Sequence, residues 1–204
     1  MYFFANTNKL FSDNEFAYGE QKDGDFNTGE AEFCKVCGHP ISMLEWLSPL
    51  SIRVSSKALG DFIFGTYVGF ILSERVLNLY ENSGLTGLSN FRSVDIFYRG
   101  NLLKEKYYYP KIKIINAYVD YSSFIFSKID KCSFCQKGGS IIDKINGVSF
   151  LHKEQISSDI FFTTSIGQGV FFVSEFFKKM IENNRLSNFS LIESQKYSFG
   201  EFHI

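Results

Sequence analysis

The chain has 204 residues, a formal net charge of −1, 45% hydrophobic residues, and 24 Phe and 11 Tyr against one Trp. That is enough apolar material for the core of one domain or two small ones, which excludes a wholly disordered chain. The near-neutral field gives no general pull toward nucleic acid or anionic lipid, and the aromatic content favours strands over a helical bundle.

Tyr2 to Ala5 reads as a first strand, broken by Asn6-Thr7-Asn8. Asp13, Glu15, Glu20, Asp23, Asp25, Glu30 and Glu32 then stand against the single base Lys22. With Gly19, Gly24 and Gly29 among them, this segment reads as an exposed loop or hairpin, Glu15 to Tyr18 being a weak strand candidate. Ile41 to Leu47 suggests a short amphipathic turn or helix ended by Pro49. Leu50 to Ser55 alternates apolar and polar, the period of a half-buried strand. Asp61-Phe-Ile-Phe64, between Gly60 and Gly65, reads as a fully buried strand.

The clearest helix follows. Ser73 is placed as its N-cap, Glu74 offsets the helix dipole in the first turn, and Val76, Leu77 and Tyr80 form its apolar stripe. Gly84 ends it at the C′ position. Phe91 to Tyr98 is a strand running into an Arg99-Gly100 turn. Ile112 to Phe126, rich in β-branched and aromatic residues, is expected to supply one or two strands crossing the centre of the sheet.

The start of the chain lacks the basic and sustained apolar regions of a signal peptide. The longest apolar stretch, Phe62 to Leu72, is interrupted by Gly65, Thr66 and Gly69, and falls short of the about 20 residues that span a bilayer. These features predict a cytoplasmic protein with no membrane segment and with reduced thiols.

In that setting the four cysteines matter most. They are Cys34 and Cys37 in Cys-Lys-Val-Cys, and Cys132 and Cys135 in Cys-Ser-Phe-Cys. Two C-x-x-C pairs match the four thiolates of one structural Zn2+, with Gly38 free to take the positive φ that a knuckle turn needs. His39 is a weaker candidate ligand. Thiol redox chemistry is the rival reading, disfavoured because neither pair precedes a long helix in a βαβ pattern; metal-free structural thiols are the third.

The chain also matches itself. Cys34 and Cys37 fall on Cys132 and Cys135, and at the same offset Asp61-Phe-Ile-Phe falls on Asp159-Ile-Phe-Phe. With three residues inserted, Ser73-Glu74 falls on Ser174-Glu175 and Glu81-Asn82 on Glu182-Asn183. Dropping Thr86 to Leu88 brings Ser89-Asn90-Phe91 onto Ser187-Asn188-Phe189. The predicted architecture is a single α+β domain, 1–204, made of two repeats, about 33–98 and 131–196. Each is a zinc knuckle, strands and one Ser-capped helix, and the two are related by a pseudo-twofold axis through a shared zinc. An N-terminal strand and acidic segment, 1–32, and a linking β segment, 99–130, lie outside them.

No catalytic constellation stands out. Ser73-Glu74-Arg75 reads as a cap plus an acid, without a histidine base. His39, His152 and His203 are scattered, and Gly138-Gly139 and Gly167-Gln-Gly169 lack the strand-to-helix phosphate fingerprint. Arg99, Lys104, Lys106, Lys111 and Lys113, around Tyr107 to Tyr109, could hold phosphates and stack bases, though such a run is more often a solvated face. The acidic segment 13–32 could dock a basic protein.

Taken together, Cys34-x-x-Cys37-Gly38 with Pro40-Ile-Ser, Trp46-Leu, Gly60-Asp61-Phe62, Leu72-Ser73-Glu74-Arg75, Gly84-Leu-Thr-Gly-Leu with Phe91 and Val94, and the Cys132/Cys135 pair resemble the bacterial double-CxxCG family, paralogues expanded in myxobacteria. The match spans most of the chain, departing from the pattern at Gln136, where the family has glycine. The resemblance implies a non-catalytic, zinc-stabilised cytoplasmic protein that binds and neutralises a cognate toxin. A zinc-ribbon-like nucleic-acid-binding or regulatory module is the alternative, and an enzyme has no residue set to recommend it.

Overall fold

The computed structural model describes residues 1–5, 15–22, 29–42, 44–66, 69–115, 117–135, 141–163 and 170–199. Gln136, Gly138, Gly139, Gly167, Gly169, His203 and the acids Asp13, Asp23 and Asp25 lie outside the described residues. Among the described residues the architecture is α+β, mostly strands with two α-helices.

In chain order the first half holds β1 (Tyr2–Ala5), β2 (Gly19–Gln21), β3 (Ser51–Val54), β4 (Phe62–Phe64), β5 (Phe70–Ser73), α1 (Glu74–Ser83), β6 (Leu88–Tyr98) and β7 (Asn101–Leu102). The middle holds β8 (Tyr107–Ile112), β9 (Ile114–Ile115), β10 (Val119–Asp120) and β11 (Phe124–Lys128). Last come β12 (Ile141–Asn146), β13 (Ser149–Phe150), β14 (Ile160–Thr163), β15 (Phe171–Ser174), α2 (Glu175–Asn183), β16 (Leu191–Glu193) and β17 (Ser198–Phe199).

Two larger sheets dominate. One runs β2-β3-β6-β8-β5-β4 with β7 paired to β6, and the other runs β16-β1-β15-β14-β9. β4 and β5 form an antiparallel hairpin that pairs Phe62 with Leu72, Ile63 with Ile71 and Phe64 with Phe70. β14 and β15 form another, pairing Ile160 with Val173, Phe161 with Phe172 and Phe162 with Phe171. Both are apolar at every paired position, because both faces are covered and alternation is not needed.

Each hairpin feeds a helix in the same way. The Ser73 hydroxyl accepts from the Val76 N–H at 3.3 Å, and the Ser174 hydroxyl from the Phe177 N–H at 3.2 Å. The caps are themselves held, since Ser73 donates to Asp61 Oδ1 at 3.2 Å and Ser174 to Asp159 Oδ1 at 2.7 Å. α1 ends at Gly84, whose φ of +72° is the left-handed C-cap geometry, and Arg185 after α2 also has positive φ.

The strand beside each hairpin is not where local sequence suggests. β8 lies between β5 and β6, with Tyr107 opposite both Ser73 and Val94. β1 lies between β15 and β16, with Tyr2 opposite Ser174 and Phe3 opposite Glu193. The N-terminal strand therefore completes the sheet of the C-terminal helix, while the strand from mid-chain completes that of α1. Phe3 joins one hydrophobic cluster, with Trp46, Phe62, Phe70 and Phe177. Phe4 joins a second, with Phe150, Phe161 and Phe172.

Several expectations change. The strand expected at Glu15 to Tyr18 begins instead at Gly19, and the described residues between Ile41 and Leu47 form no helix. There Trp46 is buried edge-on against Tyr109, with ring centroids 5.1 Å apart, so packing rather than helical propensity places the segment. Ile112 to Phe126 is divided among the end of β8, β9, β10, a 3₁₀ turn capped by Asp120 and the start of β11. The strand that crosses the centre of the larger sheet is β8, Tyr107 to Ile112, which overlaps that segment only at Ile112.

Close packing makes one glycine decisive. Gly87 has φ +113°, and a Cβ there would collide with the Ile160 carbonyl at the head of β14. Gly87→Ala is expected to lower stability by more than about 2 kcal/mol in urea unfolding. Gly100→Ala has a similar positive φ but open space around it, and should cost only about 1–2 kcal/mol. Equal losses would show that strain alone, without the collision, sets the effect.

Candidate metal centre

Both cysteine pairs sit in turns between strands. In the first, Cys34 donates its N–H to the His39 carbonyl at 2.8 Å, and Gly38 donates to the Cys34 carbonyl at 2.8 Å. Gly38 has φ +73° with open space beyond it, the conformation its place after the second cysteine calls for. A bridge between Phe33 and Pro40 closes the loop, and Glu32 ties it to Ser42 through an N–H to Oγ bond of 2.7 Å. The second turn is anchored by Lys131, whose ammonium lies 2.9 Å from the Tyr121 ring centroid and 4.8 Å from that of Phe126. The Phe134 N–H points at the Cys132 sulfur, 3.4 Å away.

These turns are 98 residues apart in the chain and meet in space. Cys34 Sγ lies 3.9 Å from Cys132 Sγ, and Cys37 Sγ lies 3.4 Å from Cys135 Sγ. All four sulfurs fall within 4.8 Å of one another, and no disulfide joins them. Tetrahedral thiolate coordination with bonds of about 2.3 Å spaces its sulfurs about 3.8 Å apart, so the set can hold one metal ion with small adjustments. Cys34 and Cys135 are buried, and His39 is exposed and outside the cluster.

The electrostatics point the same way. The Cys37 backbone N–H, with that of Val36, draws the Cys34 thiol down to about 6 against the opposing cost of burial. The Cys135 and Phe134 N–H groups likewise lower Cys132. Cys37 is pushed up to about 12. The His39 N–H favours its thiolate, but burial and the neighbouring sulfurs of Cys135, Cys34 and Cys132 outweigh that. Four sulfurs this close resist ionising together, and a divalent cation at their centre removes the conflict.

The other candidates fall elsewhere. Ser73 and Ser174 are helix caps hydrogen-bonded to aspartates, and each hydroxyl is committed to its helix. Tyr107 and Tyr109 are only 4% and 3% exposed, too buried to stack on bases. The Tyr107 hydroxyl donates to the Gly60 carbonyl at 2.5 Å, and Lys106 pairs with Glu74 at 2.8 Å. Glu15, Glu20, Glu30 and Glu32 are exposed.

Asp61 and Asp159, landmarks of the self-match, carry a role that no sequence pattern above assigned to them. The Asp61 carboxylate accepts the N–H and hydroxyl of Ser187 at 2.8 and 2.9 Å. Asp159 accepts the N–H and hydroxyl of Thr86, both at 3.0 Å. Each aspartate thus holds its own helix cap and the loop beyond the other helix. The signal was an acid placed just before an otherwise apolar strand, a position where a carboxylate needs several donors.

Among the described residues no helix is long and apolar enough to cross a membrane. No protein-family model matches the chain, and no curated protein matches it.

Proposed function

We propose that this chain is a non-catalytic cytoplasmic binding protein, stabilised by one zinc ion and built from two copies of one unit, that binds and neutralises a cognate bacterial toxin. The observation that carries this reading is the closure of the four-thiol set. Cys34, Cys37, Cys132 and Cys135 satisfy a four-coordinate metal among themselves, so the ion has structural work and no open position for substrate. Zinc suits an all-thiolate tetrahedral set better than the hard oxygen-seeking cations. Exposed Phe33, Val36 and Phe134 around the knuckles offer apolar contact of the kind protein partners cover. The family likeness carried by Cys34-x-x-Cys37-Gly38 and Leu72-Ser73-Glu74-Arg75 supplies the toxin as partner.

Two copies are supported by the identical hairpin registers, the paired Ser caps and the reciprocal bonds from Asp61 to Ser187 and from Asp159 to Thr86. On this reading Thr86 is the counterpart of Ser187, so the offset set by the helices continues through the following loop. β1 and β8 are also counterparts, and each copy extends back to include its first strand, lent to the sheet of the other. The two knuckles then close one site where the copies meet.

Co-expression with a toxin encoded beside this gene should restore growth and yield a complex that survives gel filtration. The absence of any toxin-like neighbour, or rescue without complex formation, would count against neutralisation by binding.

A further inference from the structure

The two aspartate sites differ in whether a cation pairs with the carboxylate, and the difference leaves a vacancy. Two residues after the first cap stands Arg75. Its guanidinium pairs with Asp61 Oδ2 at 3.1 Å and donates to the Asn184 carbonyl, beyond the other helix, at 2.6 Å. Two residues after the second cap stands Phe176, 68% exposed. Asp159 keeps equivalent hydroxyl and N–H donors, from Ser174 and Thr86, but among the described residues it makes no ion pair.

Beside it an open groove of about 570 Å³ runs between the ends of α1 and α2, lined in part by Ser83, Gly84, Asp159, Phe176, Lys179 and Met180. That size lies within the roughly 300–1,000 Å³ of ligand pockets. One wall offers a carboxylate, the end of α1 brings backbone carbonyls, which the helix dipole makes attractive to cations, and Phe176 offers an aromatic face. Lys179, also on the wall, is the one opposing charge among the six residues just named.

We propose that this groove receives an arginine side chain from a polypeptide partner, taking at Asp159 the place that Arg75 fills at Asp61. Arginine fits better than lysine. Its planar fork can engage a carboxylate and a carbonyl at once while stacking on an aromatic ring, and Arg75 already makes the first two contacts within the chain. This goes beyond the toxin reading and does not depend on it, since any partner presenting an arginine would suit.

The test is a titration of the isotope-labelled full chain with N-acetyl-argininamide, followed by NMR. Saturable shifts are expected at the amides of Ser83, Gly84, Asp159 and Phe176, with N-acetyl-lysinamide binding at least several-fold more weakly. Phe176→Ala, a surface change, should weaken binding about two- to five-fold. Phe176→Arg should abolish the shifts and raise Tm, because the new guanidinium occupies the groove from within. No shifts at these amides, equal binding of the lysine analogue, or undiminished binding to F176R would each overturn the proposal.

Discussion

Cys132→Ser is expected to release the metal and to cost this chain more stability than any other single change considered. In the proposed site one sulfur would supply a quarter of the coordination, and the ion would join turns 98 residues apart. Structural zinc contributes roughly 10–16 kcal/mol in small peptides, against a typical domain stability of about 5–15 kcal/mol. Losing even part of that contribution is enough to unfold the knuckles or the whole domain. Elemental analysis of protein purified without added metal should find one zinc per chain, and none in C132S. Two ions, or none, in the parent protein would overturn the shared site.

Since C132S could fail to fold, chelation of the intact chain gives the second reading. Trp46 is the only tryptophan and is buried against Tyr109, so its fluorescence reports any loosening of that packing. Thermal unfolding should shift down with chelator and recover on adding zinc; an unchanged midpoint would remove the structural role. Acid acts in the same direction. Metal ligation needs deprotonated thiols, so the contribution present at neutral pH is lost as pH falls and protons displace the ion.

The second large effect is expected at Phe4→Ala. β1 runs between β15 and β16, and the Phe4 ring lies 4.2 Å from that of Tyr197 and 5.8 Å from that of Phe172, in edge-on packing. Removing a buried phenylalanine ring costs about 3–5 kcal/mol through lost burial and the cavity left behind. Urea unfolding measures the loss, and hydrogen exchange should show reduced protection at the Phe172 and Val173 amides beside the strand. Leu102→Ala, on the exposed short strand β7, should stay within about 0.5 kcal/mol. If the two variants behaved alike, β1 would be a peripheral strand rather than a member of the core.

Much of the fold could be read locally. The bounds of α1, and those of β4 to within one residue, follow from residues inside or beside each element. Glycines flank the buried strand, and Ser73 and Gly84 cap the helix. The segment around Trp46 shows the opposite case. Its apolar spacing suits a helix, but a single large side chain gains more by burial against Tyr109 than a short helix gains from its hydrogen bonds. The tyrosines of the basic run are placed for a related reason. They look like a stacking platform, but Tyr107 and Tyr109 are buried in the core from β8, which lies between β5 and β6.

What the sequence by itself determined is the set of groups available and the short-range geometry of each. Four cysteines in two close pairs, two Ser-capped helices and two apolar hairpins are encoded within a few residues, because caps, turns and ligand pairs act over one or two turns of chain. Only the tertiary structure decided which pieces meet. A backbone ladder bonds any strand, so nothing in Tyr2–Ala5 names β15 and β16 as its neighbours, and burial of Phe3 and Phe4 on opposite faces makes that choice. The meeting of the thiols is the exception, since the two C-x-x-C pairs mark it, but Asp61 reaches Ser187 and a groove opens at Asp159 only because packing brings remote segments together.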